Sequence, residues 1–265
     1  MKIPKLTAIG SGKGGTGKTL VATALAAALA GRGERILLCD ADLGLSNTTV
    51  HLGLPAGGDL IGLLAGRTAL CEAVVRVKNG PQAKDGFDLL SAPSGSGAFA
   101  NFDESVAARL VSKLRNAENY DRILLDLSAG VDATTMGFAA HADETLLVMT
   151  PDPAALTDAY AFVKILLRVG GSRPLAIVNM AESEAEARRT NDALTKTCRA
   201  FLKTSPDYLG GIPRDFHAVA AIRQQRALAL LFPQAPATQA VEAIARRLCE
   251  YGTRRHAPDA LQRAR

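Results

Sequence analysis

The chain has no tryptophan, and only 5% of its 265 residues are aromatic, so aliphatic side chains have to build its core. Its four cysteines, Cys39, Cys71, Cys198 and Cys249, form no C-x-x-C pair, and no histidine stands at ligand spacing from them. That argues against structural zinc and against a disulfide framework, and for reduced thiols in a cytosolic protein. No apolar run approaches the roughly 20 residues that a membrane-spanning helix needs; the longest, Leu20 to Ala30, is rich in alanine. The opening MKIPKLTAIG has too little apolar length for a secretory signal, so the sequence predicts a protein neither secreted nor transmembrane.

A dominant charge of one sign is also missing. Lys and Arg number 31 against 26 Asp and Glu, a net charge of +5. From Arg246 onward there are six arginines (246, 247, 254, 255, 263 and 265) against Glu250 and Asp259. The body is therefore nearly neutral and the tail basic. At this length a core needs no covalent staple.

What is present is a glycine-rich stretch, GSGKGGTGKT, at residues 10 to 19. Two phosphate-binding patterns overlap in it. Gly10, Gly12 and Gly15 fit the G-x-G-x-x-G of a dinucleotide turn, whereas Gly12, Gly17, Lys18 and Thr19 fit the G-x-x-x-x-G-K-[ST] of a nucleoside-triphosphate loop. Both use bare backbone N–H groups and a helix N-terminus as an anion site. An ammonium followed by a hydroxyl suits phosphates and Mg²⁺ and has no use in holding a dinucleotide, so the triphosphate reading is adopted. Lys13 is surplus to both patterns.

Aliphatic runs alternate with helix-length segments. Strands are predicted at 6–11, 35–40, 87–92, 122–128, 144–150, 174–179 and 208–213, and helices at 18–31, 103–118, 132–141, 154–169, 182–203, 216–228 and 238–250. Most strands are apolar without alternation, as in parallel strands covered on both faces. The pattern predicts an α/β fold: one domain over 1–265 with a doubly wound, mostly parallel β-sheet flanked by helices. Such sheets bind ligands at the carboxyl ends of their strands. The loop after Ile9, Asp40 and Asp42, Asp126, and Asn179 all fall at such ends.

The stretch K-G-G-T-G-K-T resembles the deviant Walker A loop of the MinD/ParA family of P-loop ATPases. The resemblance implies ATP and Mg²⁺ as ligands, with the nucleotide wrapped by Gly12, Lys13, Gly14, Gly15, Thr16, Gly17, Lys18, Thr19 and Leu20. It implies that Lys13 reaches across a homodimer interface to the partner's nucleotide while Lys18 serves its own site. Thr19, Asp40 and, through water, Asp126 would attend the metal. Asp42 would position the attacking water, and Asp40, Asp42 and Asn47 would form a first switch, with Ala129 and Gly130 in a second. Gly130 would place its N–H near the γ-phosphate, although Leu127 and Ser128 depart from the family's common forms. Asn179, Pro213, Arg214 and Asp215 would lie on the adenine side.

The stretches 40–54, 150–166 and 178–187 are most similar to the flagellar-number regulators (FlhG/FleN) of that family. This implies a spatial regulator with flagellar partners: a signal-recognition-type GTPase of the FlhF kind, C-ring components or a flagellar transcription regulator. Plasmid or chromosome partitioning and division-site placement are the alternatives. Val241, Ile244 and Leu248 share one apolar stripe beside Arg246 and Arg247, which fits either a helix lying on the inner membrane or one packed on the sheet. DNA binding through Arg188, Arg189, Lys196, Arg199 and Lys203 is the weaker use of the basic residues.

Overall fold

A computed structural model describes residues 3–42, 47–55, 58–78, 86–92 and 104–256, with the backbone alone at 104–105 and 252–256. The elements run β1 (Lys5–Ser11), α1 (Lys18–Gly31), β2 (Ile36–Ala41), α2 (Thr48–Leu52), α3 (Leu60–Leu64), α4 (Leu70–Ala73), β3 (Val75–Lys78), β4 (Gly86–Leu90), α5 (Glu104–Arg115) and β5 (Arg122–Ala129). They continue with α6 (Ala133–His141), β6 (Glu144–Met149), α7 (Pro153–Arg168), β7 (Leu175–Ala181), α8 (Glu184–Leu202), β8 (Asp207–Pro213), α9 (Phe216–Arg223), α10 (Leu228–Leu231) and α11 (Pro236–His256).

The eight strands form one sheet in the order β3-β4-β2-β5-β1-β6-β7-β8. Every pairing is parallel except β3 with β4. All seven sequence-predicted strands are present, each within two residues of its predicted bounds. β3 is the addition: VRVK alternates, with Val77 buried and Arg76 and Lys78 exposed, the pattern of an edge strand with one wet face.

The helices cover both faces. On one, the apolar sides of α5, α6, α7 and α8 close a core around Leu37, Leu125 and Phe162. On the other, α1 is sealed between the sheet and α11, which is why its alanines and leucines are buried nearly all round. Helix starts are set by short acceptors: Asp132 takes the N–H of Thr135, Asp152 that of Ala154 with Pro153 following, and Ser183 that of Glu186. The predicted helix at 216–228 is split, because Gln225 adopts a left-handed φ of 51° after α9 and the chain restarts as α10.

The C-terminal stripe requires a correction. Val241, Ile244 and Leu248 are at most 3% exposed and sit in the core with Leu209, Ile212 and Leu25. α11 packs on β8 and α1, so the periodicity that fitted a lipid-facing helix is that of a core-facing one. These three residues are not a membrane surface. The side chains of Arg254, Arg255, Arg263 and Arg265 lie outside the described residues, as do residues 43–46 of the first switch. No described helix is long and apolar enough to cross a membrane.

Truncating Leu248 to alanine is expected to destabilise the fold by about 2–5 kcal/mol, the ordinary cost of a cavity in a packed core. Urea denaturation of the full chain measures it. A variant of unchanged midpoint would mean that α11 is detached in solution.

Candidate functional site

The loop between β1 and α1 explains each of its glycines separately. A Cβ at Gly12 would stand 2.2 Å from the Asp158 carbonyl oxygen, and one at Gly10 would stand 2.6 Å from the Phe162 ring. These two glycines let the loop lie against α7, so the overlapping dinucleotide pattern arises from packing. Gly15 and Gly17 take φ values of 79° and 80° and turn the chain into α1. A Cβ at Gly14 or Gly15 would meet nothing within 4 Å, which leaves the middle of the loop open to an incoming group. α1 starts with no acidic residue in its first turn and no side chain capping its amides. That N-terminus is free to receive an anion. The Thr16 hydroxyl is buried without a hydrogen-bond partner, an orphan that suits a polar ligand.

Lys18 turns inward. Its Nζ lies 2.6 Å from Asp126 Oδ1, with the two side chains 8% and 1% exposed. Burial pushes the Asp126 carboxyl above the usual carboxylate range, against the pull of Lys18 and of the Thr19 hydroxyl. Asp126 stands opposite Asp40 in the β2–β5 ladder. The Asp40 oxygens accept the backbone N–H groups of Asp42 and Thr48, at 3.1 and 3.2 Å. Asp40 thereby ties the end of β2 to the start of α2. Asp42 accepts a 3.1 Å hydrogen bond from the Ser128 hydroxyl.

The ladder brings together two carboxylates, and the Thr19 hydroxyl is among the groups that pull the Asp126 pKa down. Hard oxygen donors of this kind suit Mg²⁺, which keeps several waters and takes few protein ligands. Close by, burial holds the His51 imidazole below its ordinary pKa, within the influence of Asp40 and Lys18. His51 carries an unpartnered buried Nδ1 and was not singled out from the sequence.

One expectation for the switches changes. The Gly130 N–H, expected near a γ-phosphate, instead donates to the Ser11 carbonyl at 2.9 Å, so in this state it is spent on the neighbouring strand. Asn47, read as part of the first switch, is exposed at the start of α2. Ala129, at the end of β5, is exposed.

Lys13 points along the surface, its Nζ 2.5 Å from Asp152 Oδ2. Asp152 also caps α7, and the ion pair holds its carboxyl below the usual range. The sequence reading missed Asp152. The available signal was Asp152-Pro153 at a helix start, an N-cap followed by proline at the first position.

On the far side of the loop, the Asn179 amide donates from Nδ2 to the Thr16 carbonyl at 2.8 Å. Asn179 therefore braces the phosphate loop, a role not read from the sequence. Asn179, Leu20, Pro213 and Asp215 also line a largely apolar pocket with Ala218 and Ile222. The Asp215 carboxylate is committed to the N–H groups of His217 and Ala237. It shapes this pocket by joining α9 to α11. Arg214 is exposed and pairs with Glu182 at 2.7 Å. Met180, next to Asn179, has a left-handed φ of 58° and lines the same pocket, a strained position for a side chain of its size.

The bond to Thr16 uses one of the two N–H groups on Nδ2, so the Asn179 amide keeps a second donor beside its Oδ1 acceptor. Asn179→Ala, which removes the brace on the loop, is expected to weaken nucleotide binding about tenfold, the worth of one lost hydrogen bond, as measured by equilibrium titration.

The comparisons with known proteins agree with this geometry. The family model for the CobQ/CobB/MinD/ParA nucleotide binding domain matches residues 7–228. The chain is 36% identical to the antiactivator FleN of Pseudomonas aeruginosa over 246 residues, 92% of this chain and 86% of that protein. It is 31% identical to the flagellum site-determining protein YlxH of Helicobacter pylori over 247 residues, 91% of this chain and 80% of that one. Among solved structures, a chain of the MinC:MinD cell division protein complex of Aquifex aeolicus superposes with a TM-score of 0.77 at 28% identity, covering 93% of this chain and 96% of that one. A phosphate loop braced by Asn179 and α7, a buried lysine on a strand-end carboxylate, and matches over most of the length together establish that this chain belongs to the CobQ/CobB/MinD/ParA nucleotide-binding family.

Proposed function

We propose that the chain is a Mg²⁺-dependent ATPase that dimerises on binding ATP and, through that switch, sets the number or placement of flagella. The observation that carries the switch is the pair of lysines in one loop: Lys18 is buried on Asp126, and Lys13 lies on the surface where a second subunit can be reached. In this reading residues Gly12 to Leu20 wrap the phosphates, and Asn179 and Pro213 bound the adenine pocket. Arg214 and Asp215 support that pocket's wall. The whole chain serves as one ATPase domain.

Thr19, Asp40 and Asp126 would hold Mg²⁺ largely through water; when bound, the ion neutralises charge on the phosphates. Asp42 orients the attacking water. Lys18 must leave Asp126 for the phosphates, and Lys13 must leave Asp152 for the partner's nucleotide, where it adds a positive charge to the developing phosphoryl negative charge. The product is a change of assembly, read by partner proteins.

The flagellar role is supported by the names of two relatives, each aligned over more than nine-tenths of the chain. Division-site placement is the second reading, favoured by relatives named as septum site-determining proteins at about the same identity as YlxH. A chromosomal deletion complemented with wild type or Asp42→Ala separates the two. Altered flagellar counts with normal septa support the first, and minicells with normal flagella would overturn it.

A further inference from the structure

The geometry points to Met180 as a further residue that recognises the nucleotide: its thioether packs on the nucleoside and so favours a nucleoside triphosphate over a bare triphosphate. The assignment rests on the proposed reading of the pocket beside Pro213 as the base site.

β7 and β8 fall out of step where they reach the site. Val178 stands opposite Gly211, and Ala181 opposite Pro213. Two residues, Asn179 and Met180, therefore face the single residue Ile212, which is the count of a β-bulge. Met180 takes its place there with a left-handed φ of 58°. That conformation is costly for a residue with a Cβ and persists only where the surroundings hold it.

The bulge changes where Met180 points. In an unbroken strand successive side chains point to opposite faces, so Met180 would turn away from Asn179. Here both meet the same glycine. A Cβ at Gly17 would stand 2.4 Å from Asn179 Nδ2 and 3.1 Å from Met180 Cε. The bulge has turned the methionine onto the phosphate loop, beside the amide that braces it.

From there the side chain borders two spaces. One is the apolar pocket shared with Leu20, Ala218 and Ile222, and the other is the surface cleft shared with Lys13, Gly14 and Asp152. Met180 is half-buried, so part of its surface is open to what fills them. A nucleotide with its phosphates on the loop and its base in the pocket has to pass this side chain. An unbranched thioether suits that place, because it follows an irregular surface and makes a favourable sulfur contact with an aromatic ring. Inorganic triphosphate reaches the loop without it.

The test measures equilibrium binding of Mg-ATP and of Mg-tripolyphosphate to the full-length protein, comparing wild type, Met180→Ala and Met180→Gly. Both variants are expected to bind ATP about tenfold more weakly, the upper end of one sulfur–ring contact, and to bind tripolyphosphate within about twofold of wild type. Stability without ligand is a second readout. Glycine accepts the left-handed φ that methionine adopts at a cost, so the urea midpoint of Met180→Gly should match or exceed that of wild type while its ATP affinity falls. Undiminished ATP binding by Met180→Ala, or a loss shared equally by tripolyphosphate, overturns the assignment. Undiminished ATP binding by Ala218→Trp, which fills the pocket, would instead overturn the reading of the base site.

Discussion

Replacing Lys18 with methionine lowers ATP turnover by roughly 10²–10³-fold, the effect of removing one preorganised positive group from a site where phosphoryl charge develops. The same substitution has a second signature. Lys18 is the partner of a carboxylate that is 1% exposed, and breaking a buried pair by deleting one member costs about 3–5 kcal/mol if the other keeps its charge. Asp126 has another course open to it. Burial already raises its pKa, and without the ammonium it takes up a proton.

The sign of the pH dependence follows. A carboxyl whose pKa is higher folded than unfolded binds more protons in the native state, so stability falls as pH rises from the unfolded value, near 4, to the raised one. Compared with wild type, Lys18→Met should be only mildly destabilised at pH 5 and more so at pH 8. Urea unfolding at both pH values checks it. A difference between variant and wild type that stays constant with pH would mean that Asp126 has found another cation.

Lys13→Ala is expected to abolish the ATP-dependent dimer while leaving nucleotide binding by the monomer largely intact. Sedimentation velocity with ADP, ATP and a non-hydrolysable analogue reads both outcomes when combined with a binding titration. Wild type should shift to a dimer with ATP, Lys13→Ala should remain monomeric at a hundred times the concentration, and Asp42→Ala should stay dimeric after wild type has dissociated. The ion pair that now holds Lys13 is partly exposed, 29% on the lysine and 49% on Asp152. Pairs of that kind are weak and screened by salt, so releasing the lysine presents no barrier. Asp152→Asn should therefore dimerise at least as readily as wild type. An ATP dimer formed by Lys13→Ala would overturn the trans role.

Much of this was legible in the sequence because it is written in local chemistry. Unbroken aliphatic runs specify buried parallel strands, and the glycines, lysines and threonine of GSGKGGTGKT specify a phosphate site. What was not legible depended on partners distant along the chain. No local signal sends Asn179 to the Thr16 carbonyl or Lys13 to Asp152. The stripe Val241, Ile244 and Leu248 has the same period whether it faces lipid or a sheet, and the packing of β8 against α11 settles it. β3 was missed because four residues are too few for a periodicity to stand out.

The backbone contact between Gly12 and Asp158 has a mechanical consequence. The front half of the phosphate loop is wedged on α7 and cannot recoil. Any accommodation of a ligand falls to Gly14 and Gly15, whose Cβ positions have no neighbour within 4 Å. The loop is thus a vice with one fixed jaw and one sliding jaw. The fixed jaw rests on the helix whose N-cap is Asp152, the resting partner of Lys13, so one helix holds both the loop's immobile half and its surface lysine.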